Sequence, residues 1–126
     1  MPITYAVLYP REAEVNLDYF INVHIPLAER LCGKDVILSW EVFTFPPDAP
    51  YCLQANVTWA SSEAKAAAMS GENGKVLIDD VEKYAKARPF SMAREEVARK
   101  NIRVQLGMLW FRPKNSIAIF DRLSDR

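Results

Sequence analysis

The 126 residues suffice for one domain with a single hydrophobic core. Sixteen basic and sixteen acidic residues cancel, which argues against nucleic acid or an anionic membrane as a partner. No apolar run approaches the ~20 residues of a membrane span, so we expect a cytoplasmic protein. Cys32 and Cys52 are too few for a disulfide framework, and we expect both to be buried free thiols.

The first predicted element is a strand over residues 3–9, with apolar side chains on both faces. Tyr5 and Tyr9 share one face, and Leu8 lies on the other. A strand of this kind needs cover on both sides.

A helix with one buried face is predicted over residues 17–31. His24, the single histidine, falls within its apolar stripe, so the imidazole should point to the interior. Pro26 has no N–H to donate to the carbonyl of Asn22, which predicts a kink or local unwinding. The stripe is formed by Leu17, Phe20, Ile21, Leu27, Ala28 and Leu31.

Two strands follow, over residues 36–45 and 52–59, and then helices over residues 61–70 and 75–85. In the second strand, Leu38 and Trp40 are expected on one face, and Ile37 and Phe43 on the other. One more strand would complete the βαββαβ order of a ferredoxin-like α+β domain. Two segments are candidates for this strand, residues 90–97 and residues 102–111. Residues 116–120 would add a further strand, and the pattern does not decide between these segments.

The sheet of such a domain is covered by helices on one face only. The first strand would still present apolar side chains on the other face. A large apolar face marks an interaction surface, and two copies packed sheet to sheet would cover it. We therefore expect a homodimer.

Three short segments resemble the EthD family. They read VLYP at residues 7–10, LDYF at residues 17–20 and HIPL at residues 24–27. Pro50-Tyr51, Asp80-Val81 and Pro89 also fit. The resemblance covers residues 3–97 and predicts an EthD-like domain over residues 1–97. It implies a dimeric α+β barrel of ferredoxin-like subunits, with residues 98–126 as a C-terminal extension that adds a strand or swaps onto the partner.

His24 is the main candidate for catalysis, as a general acid or base. From spacing alone it fits a core histidine bonded to a carbonyl equally well, and the resemblance favours the catalytic role. Asp80 is the candidate carboxylate that fixes the imidazole tautomer, and Tyr9 the candidate hydroxyl that stabilises an oxyanion. Asp80 also fits an exposed carboxylate at a helix end, and Tyr9 also fits aromatic core packing. Substrate-binding candidates, which also fit ordinary core packing, are Tyr5, Phe20, Trp40, Phe43, Tyr51 and Trp59.

The expected function is that of a cofactor-independent enzyme acting on a hydrophobic, oxygenated small molecule, aromatic or polyketide-like. His24 would transfer a proton in a cyclisation, decarboxylation or dehydration, as a lyase or cyclase does. One histidine without clustered carboxylates argues against a metal site, and no glycine-rich loop indicates nucleotide binding. Two alternatives stay open. One is an oxygenase, cofactor-free or haem-assisted, since one histidine suffices as an axial ligand. The other is a non-catalytic accessory protein of an oxidative pathway that binds the small molecule.

Overall fold

A computed structural model describes residues 1–100, of which residues 1–95 form one compact unit. Among the described residues, no helix has the length and apolarity that crossing a membrane requires. Cys32 and Cys52 are free and half-buried. The elements are β1 (Ile3–Pro10), a 3-10 turn (Arg11–Ala13), α1 (Leu17–Tyr19), a π turn (Phe20–His24), α2 (Ile25–Cys32), β2 (Ile37–Thr44), β3 (Tyr51–Trp59), α3 (Ser62–Met69), α4 (Glu72–Asp80), a second 3-10 turn (Val81–Lys83) and β4 (Phe90–Ala93).

The four strands form one antiparallel sheet in the order β2-β3-β1-β4. Together with the helices this gives the predicted ferredoxin-like α+β fold. The fourth strand is β4, within the first of the two segments that the sequence left open. The other segment, residues 102–111, and the further strand at residues 116–120 lie outside the described residues, as does most of the predicted extension.

The two faces of the sheet differ in character. The inner face packs against the helices, and the cluster that results includes Tyr9, Phe20, Ile25, Leu53, Ala55 and Tyr84. The outer face has a polar centre on β3, where Gln54 bonds Asn56 at 2.9 Å and Thr58 bonds Thr4 at 2.7 Å. Phe43 and Phe90 lie beside this centre, on the strands at either edge.

A β-bulge between Ile37 and Ser39 changes the faces predicted for β2. Ile37 pairs with Trp59 and is buried, whereas Leu38 is 48% exposed. The expectation that Leu38 shares a face with Trp40 was wrong, because the extra residue of the bulge breaks the two-residue alternation between them.

The helix that carries His24 changes pitch within the predicted segment. Asn16 caps its start, since the Asn16 side chain accepts a 3.1 Å bond from the N–H of Tyr19. The N–H of Ile25 then bonds the carbonyl of Phe20, five residues earlier, which makes the π turn. Pro26 follows directly, so the predicted local unwinding is confirmed at this point.

Candidate active site

A cavity of about 380 Å³ lies between the inner face of the sheet and the helices. Its lining is mostly apolar and includes the imidazole of His24. Six residues proposed from the sequence line the cavity: Tyr5, Tyr9, Phe20, His24, Trp40 and Trp59.

His24 is held by a carboxylate from a distant part of the chain. Its Nδ1 lies 2.9 Å from Oδ2 of Asp80, at the end of α4. The hydroxyl of Tyr19 donates to Oδ1 of the same carboxylate at 2.9 Å, and Nζ of Lys83 lies 3.6 Å from Oδ1. The side chains of Asp80 and His24 are 4% and 14% exposed, so the carboxylate is buried and the imidazole reaches the cavity.

The charge of Asp80 decides where the imidazole carries its proton. Burial by itself raises the pKa of this carboxyl, but the bonds from His24 and Tyr19 and the charge of Lys83 hold its pKa below the usual range. An ionised carboxylate only accepts hydrogen bonds, so Nδ1 of His24 carries the proton. In the neutral ring, Nε2 then has a free lone pair, and no group within residues 1–100 bonds to it.

The ring of His24 is also fixed by aromatic neighbours. It stacks on Phe20, with centroids 5.7 Å apart and planes 18° apart. Tyr84 covers it from another side, with centroids 4.7 Å apart. These contacts and the bond to Asp80 restrict both the position and the rotation of the imidazole.

Tyr9 and Tyr84 form a pair of buried hydroxyls in the cavity wall. Their oxygens lie 2.6 Å apart, and the two residues are 2% and 3% exposed. Burial raises the pKa of Tyr9 to about 12, although the bond from Tyr84 opposes this, and burial and the nearby Tyr9 also raise the pKa of Tyr84. Both phenols therefore stay protonated at neutral pH. One donates to the other, which leaves one O–H available as a donor.

Two residues expected to bind substrate lie outside the cavity. Phe43 pairs with Gln54 on the outer face and is 47% exposed. It is three residues from Trp40 along one strand, so the two side chains point to opposite faces. Tyr51, 36% exposed, lies at the start of β3, with its ring 6.5 Å from that of Phe90. The expectation that Phe43 and Tyr51 line the pocket is therefore corrected.

Sequence reasoning missed Tyr84 and Lys65, which both line the cavity. Tyr84 lies within the helix predicted over residues 75–85, where its type and position fit core packing, although its spacing of four residues from Asp80 was a usable signal. Nothing in the alanine-rich segment around Lys65 distinguishes this lysine from a solvated one. Within residues 1–100, no group of three or more His, Cys, Asp or Glu side chains is placed to hold a metal ion.

No family model and no curated protein matches this sequence. An EthD-like protein from Ralstonia eutropha is similar in structure, with a TM-score of 0.65 and 21% identity over 79% of this chain and 95% of that one. An ethyl tert-butyl ether D (EthD) family protein from Bacillus halodurans gives a TM-score of 0.60 and 21% identity, over 77% and 100%. SnoaB, a cofactor-independent oxygenase from Streptomyces nogalater, gives 0.54 and 12%, over 80% and 96%.

These structural similarities show that the chain has a ferredoxin-like α+β fold. Within that fold class, the chain has the fold of the EthD-like proteins, as the resemblance in the sequence implied.

Proposed function

We propose that this protein is a cofactor-independent enzyme that moves a proton on a hydrophobic, oxygenated small molecule, aromatic or polyketide-like. One observation carries the proposal: the imidazole of His24, bonded to Asp80 at 2.9 Å, lines an apolar cavity of about 380 Å³. A positioned imidazole with a carboxylate partner is suited to proton transfer. The apolar walls favour a substrate with little charge along its body.

His24 acts first as the base. Its Nε2 accepts a proton from a hydroxyl or from a carbon beside a carbonyl, and the negative charge left on the substrate moves to oxygen. The O–H of the Tyr9–Tyr84 pair donates to that oxyanion. Asp80 stabilises the imidazolium that forms, and Nε2 then returns the proton to another atom as a ring closes or as carbon dioxide or water departs.

The first experiment tests His24 as a base without knowing the natural substrate. Nitrobenzisoxazole is a flat aromatic compound whose ring opens when a base removes one C–H proton, and the phenolate product is coloured. We expect the protein to accelerate this reaction and His24→Gln to abolish the acceleration, because the base is lost. Asn22→Gln is the matched control, since Asn22 lies in the same π turn but is exposed. An undiminished rate in His24→Gln would contradict the proposal.

The second experiment identifies the substrate class. The folded protein is purified, the cavity contents are released in organic solvent, and they are analysed by mass spectrometry. We expect a largely apolar compound with phenol or ketone oxygens. If wild type converts this compound and His24→Gln leaves it unchanged, the product assigns the reaction: a mass lower by carbon dioxide indicates decarboxylation, and a mass lower by water indicates dehydration. A product of unchanged mass but different chromatographic retention indicates cyclisation. Recovery unchanged from wild type would favour an accessory, non-catalytic binding protein.

An oxygenase is the second candidate function, favoured by the likeness in fold to SnoaB, a cofactor-independent oxygenase. In this reading, His24 removes the proton of an electron-rich phenol, and the resulting phenolate reacts with oxygen. Oxygen uptake that depends on both the phenol and His24 would support the oxygenase function. Phenol turnover at the same rate under nitrogen would reject it.

We also propose that two copies pair through the outer face of the sheet. Phe43, Phe90 and Met92 on that face are 47%, 55% and 48% exposed in the single chain. Large apolar side chains that are exposed together on one face of a sheet mark an interaction surface. We expect Phe90→Asp to weaken the dimer in sedimentation velocity, and Val76→Asp on α4, 43% exposed, to leave it unchanged. Dilute wild type that sediments as one chain would contradict the pairing.

A further inference from the structure

Lys65 places an ammonium group in the wall of the mostly apolar cavity. It lies on α3 and is half-buried. Its Nζ is 4.3 Å from the ring centroid of Tyr5 and 5.7 Å from that of Trp59, and all three residues line the cavity. The electron-rich ring faces attract the cation and hold it in this position. One end of the cavity therefore carries a fixed positive charge.

The charge of Lys65 has no anionic partner within residues 1–100. None of the ion pairs there includes Lys65. The acidic side chain in the cavity lining is Glu29, and its Oε2 already accepts a 2.9 Å bond from Nε1 of Trp40. An ammonium group in a largely apolar wall gains most from an anionic ligand, because a bond between two charged groups is stronger than one between neutral groups.

The Lys65 ammonium and the His24 imidazole lie at opposite ends of the cavity. Tyr5 and Tyr9 are on the same face of β1, four residues apart, so their backbone positions are separated by about 14 Å at roughly 3.4 Å per residue. Lys65 sits at the Tyr5 end. His24 is at the other end, 4.7 Å from the ring of Tyr84, which bonds Tyr9. A ligand that reaches both groups must be elongated.

We propose that Lys65 binds a carboxylate at the far end of an elongated aromatic or polyketide-like substrate, whose oxygenated reacting end lies at His24. This inference rests on the proposed function for the position of the reacting end. Lys65 is then the residue that selects carboxylic acids over their neutral analogues. The aromatic rings of Tyr5 and Trp59 then contact both the apolar body of the substrate and the ammonium group of Lys65.

The test compares two probes that differ only in charge: hydroxybiphenylcarboxylate, with its hydroxyl and carboxylate at opposite ends, and the corresponding carboxamide. Their affinities for the full-length protein are measured by titration calorimetry at neutral pH. We expect wild type to prefer the carboxylate by about ten- to a hundredfold, the range of a hydrogen bond to a charged group. Lys65→Met keeps the apolar stem but should remove the preference, while carboxamide affinity stays within about twofold.

Lys75→Met is the matched control. It also removes one positive charge, but from an exposed lysine on α4 that pairs with Asp79 and does not line the cavity. It should retain the preference, and Lys65→Arg should restore most of it. The proposal is overturned if wild type shows no preference or does not bind the carboxylate, if Lys65→Met keeps the preference, or if the preference depends instead on Arg88, the other cation in the lining.

The binding result is separable from the proposed catalysis. His24→Gln should still prefer the carboxylate, because the charge at Lys65 is unchanged, while it loses the reaction with nitrobenzisoxazole. A preference that depends on Lys65 together with full proton abstraction by His24→Gln would overturn the catalytic proposal alone. Loss of proton abstraction in His24→Gln without any role for Lys65 would overturn the carboxylate subsite alone.

Discussion

The imidazole of His24 and the carboxylate of Asp80 are joined by a 2.9 Å contact between Nδ1 and Oδ2, although 56 residues separate them in the chain. His24 ends a π turn, and Asp80 ends α4. The contact therefore fixes the relative position of two helices and the tautomer of the ring at the same time.

The first prediction concerns that tautomer. Asp80→Asn replaces an acceptor-only group by one that can also donate, so a substantial share of the rings should carry the proton on Nε2. Because the chain has one histidine, ring nitrogen NMR reports His24 without overlap. We expect the reaction with nitrobenzisoxazole to fall about tenfold or more, since the base is blocked in that tautomer. An unchanged ring spectrum would show that Asp80 does not set the tautomer.

The second prediction concerns acid. The pKa of Asp80 is lowered in the folded chain, by the bonds from His24 and Tyr19 and by Lys83, which outweigh the effect of burial. The unfolded chain therefore binds the proton first, and the stabilisation by Asp80 is fully present above pH 3.8 and lost as the pH falls through the lowered pKa. Asp80→Asn should cost about 2 kcal/mol of unfolding free energy at neutral pH. In urea unfolding, the gap to wild type should close below pH 3.8, and a gap that persists there would contradict the assignment.

The third prediction concerns alkali. Burial raises the pKa of Tyr9 from 10.0 to about 12. Between these values the unfolded chain has lost a proton that the folded chain keeps, so the unfolding free energy should fall as the pH rises. Tyr9→Phe should cost about 1 kcal/mol at neutral pH, because Tyr84 loses its partner, but should show a shallower fall in alkali. The measurement is chemical unfolding over this range, with tyrosinate absorbance of the folded protein. Ionisation of every tyrosine near pH 10 in the folded chain would contradict it.

Local patterns in the sequence predicted more of the fold than of the candidate site. The apolar stripe of residues 17–31 and the missing N–H of Pro26 predicted an inward His24 and an unwound turn, because both depend on spacing along one helix. The β2 bulge could not be predicted, since it reflects how Ile37 packs against Trp59, on a neighbouring strand. The fourth strand was undecided for the same reason: β4 is only four residues long, and its pairing with β1 defines it.

The contact between His24 and Asp80 could not be predicted from spacing, because 56 residues separate the two in the chain. Asp80 was the candidate partner because a carboxylate can fix the tautomer of an imidazole, and the structure brings the two side chains together. The sequence did not identify Tyr84 and Lys65 as cavity residues, because a tyrosine in a helical stripe and a lysine among alanines are ordinary residues. They line the cavity only because α3 and the segment of the second 3-10 turn pack against the sheet.

The fourth prediction concerns the junction of α3 and α4, which sets the direction of the helix that ends at Asp80. Gly74 is buried, and a Cβ built there would overlap the backbone carbonyl of Met69. Because a backbone atom cannot move aside as a side-chain tip can, Gly74→Ala should cost about 1–3 kcal/mol of unfolding free energy. It should also weaken the bond from His24 to Asp80, visible in the ring nitrogen NMR spectrum.

Gly71→Ser is the matched control, three residues earlier. A Cβ at Gly71 meets nothing within 4 Å, and Gly71 is the N-cap of α4, a position that serine favours. This variant should stay within about 0.5 kcal/mol of wild type and leave the His24 ring spectrum unchanged. Equal unfolding free energies for the two variants would show that α4 can shift away from Met69 without cost. The close approach at Gly74 would then not be what directs Asp80 toward His24.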